Sequence, residues 1–586
     1  MDAQPAHLNA ETIVTLRQYT HNLRLRIRIA HRSQRRATPH LTRPDESLAG
    51  VSPVLTRVAP ARSRVTLGAS SRVALGILGS RITGLVRERV IGHYFGVETI
   101  AADAFRAAFR IPGLLSNLFG EGVLSASFVT VYSKLRALDQ QREAEHTAAA
   151  VFGILSLACA IAVALGIFLA PYLIDLIAPG FHGEKRLLTV HIVRILFPGT
   201  GVLVMSAWCL GVLNSHRRFL LSYLSPVVVN AAVIVALIAL GAHSSQERLV
   251  IDAAWAFVAG YALQFLIQLP RVLGALPGFR LTLEWQSQHV RAVLRNFGPI
   301  FLSRGVVQIS AYIDSMIASK LPLGSVAALG YAQVISILPI SLFSMSVSAA
   351  ELPALSSAVG DEREIAEYLR ARLSAGLRRI AFFTIPSAVA FLVLGDVIAA
   401  ALYQTGRFAH ADAVYLWGVL AGSAVGLLAT SLGRLYSSGF YALLVTRTPL
   451  RFAVLRVILT TALGLLFAFV VPGWLGIDSK WGVAGLTASA GLAGWVEFAL
   501  LRHALNERIG KTGLPSDFTL KLWSIAFLGA GLGYFVKVGI GTAHPILLAL
   551  LILPLFGAVY LTGTVIAGIP ESTAALQSAF ERFRRA

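Results

Sequence analysis

Of 586 residues, 55% are hydrophobic and only 14% are charged, and the mean hydropathy is +0.68. Soluble domains carry about 25% charged residues, so this balance excludes a soluble globular protein and implies a membrane-embedded chain. A formal net charge of +21 does not point to nucleic acid here, because the lysines and arginines gather in loops between apolar runs. Cys159 and Cys209 both sit inside apolar runs, which excludes a disulfide framework and leaves no metal-ligand spacing.

Residues 1–65 differ from the rest. They are dense in arginine, as in RQYTHNLRLRIRIAHRSQRR, rich in Pro, Ser and Thr, and lack the apolar core of a secretory signal. The segment reads as a disordered basic arm, either solvated or touching anionic lipid headgroups. From residue 66 onward about fourteen stretches have the length and apolarity of a membrane span. They cover 66–92, 104–133, 147–176, 187–213, 219–241, 252–276, 293–319, 325–358, 376–402, 412–438, 449–471, 482–505, 520–538 and 545–568, followed by a polar tail, 569–586. An even number places both termini on one side. One set of alternate loops, with Lys134, Arg217, Arg271, Arg372, Arg447 and Lys511, holds roughly three times the Lys and Arg of the other, so both termini are expected to be cytoplasmic.

The first two spans carry charges that an apolar segment does not tolerate without cause. An ionisable side chain at mid-membrane costs about 2.5–3.5 kcal/mol on insertion scales and faces a wet or protein interior. In SRITGLVRERVIGHYFG, Arg81 and Glu88 lie seven residues apart, as do Ser80 and Arg87, so each pair shares a helix face. In the second span Asp103, Arg106, Arg110, Asn117 and Glu121 form one stripe, with Pro112 bending the helix. Two helices thus present arginines and carboxylates to a common cavity. For Arg89 and Arg110 a second reading stays open, in which they snorkel from helix ends to the headgroups.

Later spans are rich in Gly, Ala and Ser, which lets helices approach closely, and prolines at 112, 198, 226, 299, 339, 353 and 386 bend them. An echo links GVLNSHRRFLLSYLSPVVVNAAVI, after the fourth span, to GFYALLVTRTPLRFAVLRVIL, after the tenth. Two similar bundles with a substrate path between them would produce such an echo.

Taken in order, SRITGLVRERVIGHYFG, ADAFRAAFRIPGLL with FGEG, GVLNSHRRF, IDSMIAS with LPLGSVAALGYA, and LYQTGRF with FYALLVTRTPLRFA resemble the MurJ/MviN family of lipid II flippases, of the multidrug/oligosaccharidyl-lipid/polysaccharide exporter superfamily. The resemblance covers about residues 66–510. It implies an all-α polytopic membrane protein with two six-helix lobes in a V, 66–276 and 293–505, plus two C-terminal helices over 520–568 that form a lipid-facing groove. It also implies transport of undecaprenyl-diphosphate-linked muropeptide between leaflets. Arg81 and Arg87 resemble the family's first-helix arginines, Glu88 replaces a usual aspartate, and Asp103 resembles a second-helix aspartate expected to orient an arginine while the site is empty. Guanidinium groups suit a diphosphate because they hold its oxygens bidentately. Ser116 and Val334 stand where the family usually has arginine, whereas Arg106 and Arg304 appear where it is generally uncharged. Arg304 is expected either to deliver a cation across from Arg81 or to snorkel. In relatives with a sodium site, a seventh-helix aspartate meets oxygen ligands on the eleventh; Asp314 resembles the first, but the eleventh span offers Thr460 and Gly464. Arg456, one turn from Thr460, is therefore expected to reach Asp314 and stand in for the ion, or else to snorkel while Asp314 is protonated.

Enzyme motifs are missing: no GxSxG, HExxH, GxxxxGKS or paired CxxC occurs. No cofactor or metal is expected, and energy would come from the membrane potential, an ion gradient or the substrate gradient. The expected partners are lipid II or a related polyprenyl-diphosphate saccharide and membrane lipids, with the chain a monomer in the bacterial inner membrane. The alternatives are a flippase for another polyprenyl-linked saccharide, a small-molecule antiporter, which the basic cavity argues against, and an inactive scaffold paralogue.

Overall fold

The computed structural model describes residues 67–358, 360–541 and 544–585; the side chains of 67–75, 77, 121, 126, 299–311 and 578–585 lie outside that description. The expected arm over 1–65 is therefore outside the described residues, as are the side chains of Glu121 and Arg304.

The described chain is built from long helices: α1 (Leu67–Phe95), α2 (Ile100–Phe119), α3 (Gln141–Ile177), α4 (Gly183–Ser215), α5 (Pro226–Leu240), α6 (Gln246–Leu273), α7 (Gln288–Ser319), α8 (Ser325–Pro339), α9 (Glu362–Val393), α10 (His410–Ala442), α11 (Arg447–Leu465), α12 (Gly482–Ile509), α13 (Ser516–Ile540) and α14 (Pro545–Ile566). Among the described residues, 12 helices, taken with their short continuations, are long and apolar enough to cross a membrane. The expected count of fourteen also includes α1 and α7, which are continuous helices of 29 and 32 residues but are not among those twelve. Charge is the physical difference: α1 carries Arg81, Arg87, Glu88 and Arg89.

Helix ends follow the local sequence. Thr99 caps α2, its hydroxyl accepting from the Ala102 amide at 3.1 Å. The two echoed loops end their helices identically. Arg217 and Leu444 each take φ of 58°, and the next amide returns to a carbonyl five residues back, Arg218 to Leu213 and Val445 to Phe440, each at 2.9 Å. A π-helical segment interrupts the continuation of α2 at Ser125–Val129, and another follows α8 at Ile340–Met345. Such segments often accompany functional sites.

Packing joins α2 and α6 to α4, α5 to α1 and α6, and α10 and α11 to α12, while α7 lies against α2 and α3 as well as α8 and α11. The C-terminal pair α13–α14 is fastened to the helices before it at both ends. Lys537 pairs with Asp396, and Arg378 Nε donates to Glu571 Oε1 at 2.6 Å while its guanidinium lies over the Phe518 ring. Between them the Tyr560 hydroxyl donates to the Phe382 carbonyl at 2.6 Å.

Candidate functional site: a charged layer between α1, α2 and α8

The seven-residue spacing on α1 is realised, and its residues meet the stripe on α2. Arg87 donates through Nη2 to Glu88 Oε1 at 2.6 Å and through Nη1 to Asn230 Oδ1 at 2.9 Å. Glu88 Oε2 accepts from Arg106 Nη2 at 2.5 Å, so one buried carboxylate is shared by two guanidinium groups. Asn230, on α5, turns its amide nitrogen to Thr83 Oγ1 at 3.0 Å and the Ser80 carbonyl at 3.3 Å, which fixes the oxygen toward Arg87. Arg106 lies with its guanidinium carbon 4.1 Å from the centroid of the Tyr331 ring on α8. Arg87 keeps 24% of its side-chain surface, against 13% for Arg106, so Arg87 is the member of the network open to a ligand. Arg81 is exposed one face-repeat away and donates to Ser341 Oγ at 3.2 Å.

Asp103 is fully buried but does not orient an arginine, contrary to expectation. Its carboxylate accepts from Lys185 Nζ at 2.5 Å, from the Gly324 amide at 3.0 Å and from the Ala327 amide at 2.8 Å. The physical reason is position: Asp103 lies in the first turn of α2, where the amino end of α8 abuts it, while Arg106, one turn on, is taken by Glu88. Asp103 thus serves as an N-cap supplied from another helix, for α8 has no cap of its own. Gly324 is required at this junction: its φ is +88° and an added Cβ would lie 2.9 Å from the Glu98 Cα.

Arg89 performs the complementary task. It donates to the carbonyls of Ala401 and Leu402, at 2.6 and 3.0 Å, at the carboxyl end of the helix Gly395–Tyr403. It does not snorkel. Nearby, the Arg407 amide donates to the His93 carbonyl at 2.8 Å, His93 Nδ1 meets Thr405 Oγ1 at 2.9 Å, the Gly180 amide donates to Ser319 Oγ at 3.1 Å, and Lys480 pairs with Glu98 at 3.4 Å. These bonds between the first six helices and the later ones lie at the end of the molecule that carries residues 93–103, 319–327 and 401–408, while α7 also packs on the first six helices toward the other end, its Val293 in one buried cluster with Phe128 and Trp208. Farther along α2, Arg110 Nη2 donates to Gln333 Oε1 at 3.0 Å, bringing a guanidinium beside Val334, where the family's arginine is missing.

The proposed coupling residues are only partly brought together. Arg456 does not bond to Asp314; its Nη1 donates to Glu497 Oε2 on α12 at 3.0 Å. The reason is that Glu497 lies on the helix packed along α11 and offers a full carboxylate. Asp314 Oδ1 and Thr460 Oγ1 are each buried without a hydrogen-bond partner. Among the described residues no group of three or more His, Cys, Asp or Glu is placed to hold a metal ion.

The family model described as "Lipid II flippase MurJ" matches residues 91–554, a range that takes in Asp103, Arg106, Asp314 and Arg456. The chain belongs to the MurJ family. It is 30% identical to the "Lipid II flippase MurJ" of Burkholderia cenocepacia over 467 residues, 78% of this chain and 88% of that one. It is also 30% identical to the "Probable lipid II flippase MurJ" of Rhizobium meliloti, over 72% of this chain and 77% of the relative. Among solved structures, one titled "Lipid II flippase MurJ, inward closed conformation" matches with a TM-score of 0.69 at 24% identity, over 84% of this chain and 98% of that one. A multidrug resistance MATE family transporter of the MOP superfamily, solved in an inward-facing conformation, matches with a TM-score of 0.59 at 17% identity. At these identities the two structures establish the fold alone, a bundle of long helices.

Within the MurJ pattern, several partners carry no signal in the motifs that identify the family. Lys185 counted only as a loop charge. Asn230 and Glu497 are single polar residues inside the apolar runs SPVVVNAAVI and GWVEFALL, and that isolation is the signal that could have found them.

Proposed function

We propose that this chain carries lipid II, an undecaprenyl-diphosphate-linked peptidoglycan precursor, from the cytoplasmic to the periplasmic leaflet of the bacterial inner membrane by alternating access. Family membership supplies the class: a flippase, not an enzyme. The observation that carries the substrate chemistry is the shared carboxylate. Glu88 holds Arg87 in an oriented, partly exposed position, ready to exchange that carboxylate for the oxygens of a diphosphate. Arg81, exposed on the same helix, extends the anion path, and Arg304 is assigned to it from the sequence.

In this reading the chain acts as a monomer, with both termini cytoplasmic and the lobes 66–276 and 293–505 rocking about the charged layer. The end bearing Gly96, Gly324 and Thr405 is periplasmic. The layer of contacts there supports a state closed to the periplasm. The helices over 520–568 are assigned to guiding the polyprenyl chain. Asp314, Arg456 and Thr460 are assigned to coupling: Arg456, anchored by Glu497, supplies fixed positive charge near Asp314, so that sodium is not required. The test is complementation of a strain depleted of its own lipid II flippase. The unmodified chain should restore growth. Arg87→Ala should fail with normal amounts of folded protein, and Arg87→Lys should be impaired because one point charge replaces a bidentate fork.

A second reading, a flippase for a different polyprenyl-linked saccharide, is favoured by Ser116 and Val334, which lack the charge of the arginines usual there. Failure to complement, with transport of another polyprenyl-diphosphate saccharide in vesicles, would select it. Failure of both would leave the scaffold reading.

A further inference from the structure

Arg106 has more contacts than a ligand for substrate needs. It donates one hydrogen bond to Glu88 on α1, and its guanidinium lies over the Tyr331 ring of α8, so a single side chain joins the first half of the molecule to the second. The approach is close because residue 330 is glycine: a Cβ there would lie 2.8 Å from Arg106 Cδ. Tyr331 is itself held, with its ring 4.9 Å from Tyr403 and 5.6 Å from Phe408, so it offers a rigid face. Arg106 Nε and Arg87 Nε are both buried without a hydrogen-bond partner, while Glu88 Oε1, the oxygen that Arg106 Nε could take, is occupied by Arg87 Nη2.

The geometry points to Arg106 as a positioning residue that makes closure of this end depend on the diphosphate headgroup, by exchanging a stacked contact with Tyr331 for a two-pronged pairing with Glu88. The inference rests on the transport reading above. Glu88 divides its two oxygens between Arg87 and Arg106, and the Arg106 guanidinium lies over the Tyr331 ring. A diphosphate competes with Glu88 for Arg87, and its negative charge opposes the carboxylate left behind. Glu88 Oε1 then has no donor, and a buried carboxylate oxygen without one is costly. Arg106 Nε supplies it. Pairing through Nε and Nη2 together is the bidentate form that guanidinium and carboxylate favour, and it turns the guanidinium plane away from the tyrosine face. The contact between halves is lost in the same step that binds the headgroup. Asp103 and Arg89, which bond to backbone rather than to Glu88, do not share this dependence.

The test uses the full chain in liposomes with cysteines at positions 98 and 480, whose native side chains meet across this end, and a short bifunctional thiol reagent. Both native cysteines are buried. The probe is farnesyl diphosphate, with farnesol as the neutral control. In the otherwise unmodified pair, farnesyl diphosphate is expected to lower cross-linking about thirtyfold, the factor one desolvated cation–π contact is worth, and farnesol to leave it unchanged. Arg106→Met and Tyr331→Leu should start from lower cross-linking and show no further fall, whereas Tyr331→Phe, which keeps the aromatic face, should respond as the parent does. Gly330→Ala, which pushes the arginine stem, should behave like Arg106→Met. An equal fall in Arg106→Met and the parent, or a parent that complements the depleted strain yet ignores the probe, refutes the inference alone. A parent that neither complements nor binds a diphosphate refutes the transport reading and this inference with it.

Discussion

Replacing Asp103 by asparagine removes one charge and one acceptor while keeping nearly the same shape. In the closed end the carboxylate accepts two backbone amides from the first turn of α8 and one ammonium group from α4. Lys185 belongs to the same half of the molecule as Asp103, so that pair persists when the halves part; only the bonds to Gly324 and Ala327 are broken by opening. A charge at a partly buried helix end contributes up to about 2 kcal/mol, and asparagine retains one of the two amide bonds without the charge. Closure should therefore weaken by about 2 kcal/mol, roughly a thirtyfold shift toward the open form. The assay is thiol cross-linking of cysteines at 98 and 480, with total folded protein measured beside it. Cross-linking that stays at the parental level in Asp103→Asn would show that this carboxylate does not hold the end shut, and the capping argument would fall.

The remaining predictions concern coupling, orientation and the buried lysine. Transport should be unchanged when sodium is replaced by choline; clear sodium stimulation would overturn the coupling assignment. Arg456→Ala should abolish transport and lower the yield of folded protein, because it strands the carboxylate of Glu497; adding Glu497→Gln should restore the yield but not transport, since the charge near Asp314 is still missing. Cysteines placed at 361–364, the exposed start of α9, should react only from the cytoplasmic side and those at 478–481 only from the periplasmic side, and the reverse labelling would invert the topology. Lys185→Met should lower the yield of folded protein more than it shifts cross-linking, since it leaves Asp103 charged, buried and without its counter-ion.

What the sequence made legible divides by the kind of contact. Apolar runs located the spans, because a helix in a bilayer must be apolar over about twenty residues whatever its neighbours are. The charged exceptions, α1 above all, were legible for the opposite reason: an arginine there requires a partner; periodicity set Glu88 on a face with Arg81 and Arg106 in a stripe on the second helix, but the pairing of Glu88 with Arg87 and Arg106 emerges only in the fold. The two echoed loops, at Arg217 and Leu444, share one helix-ending geometry, which Asp139 also adopts. Partnerships with backbone were not legible. Asp103 meets amides more than 220 residues away, and an amide is present at every non-proline position, so nothing in the sequence marks Gly324 and Ala327 as its ligands. Arg456 pairs with Glu497 instead of Asp314, and the single carboxylate inside GWVEFALL carried no mark in the sequence that ranked it above Asp314 as a partner.

Asp103 and Arg89 together suggest how a closed end can be tight and yet open. An anion sits on the amino end of α8 and a cation on the carboxyl end of the helix Gly395–Tyr403, each matched to the partial charge of the helix it touches. Neither contact needs a side chain from the opposite half, so each can break without stranding a buried ion there; what is exposed is a helix end, which water can satisfy. A buried ion pair across the same boundary would leave both charges to be resolvated; the pair that does cross it, Glu98–Lys480, is solvent-exposed. The two clamps act on separate helices, so their effects on closure should add. If Asp103→Asn and Arg89→Gln each weaken cross-linking between positions 98 and 480, the double variant should show the product of the two factors, within the few tenths of a kcal/mol typical of independent sites. A double variant no weaker than the stronger single would mean that the clamps open as one unit, and that closure rests on a single cooperative surface instead of two independent helix ends.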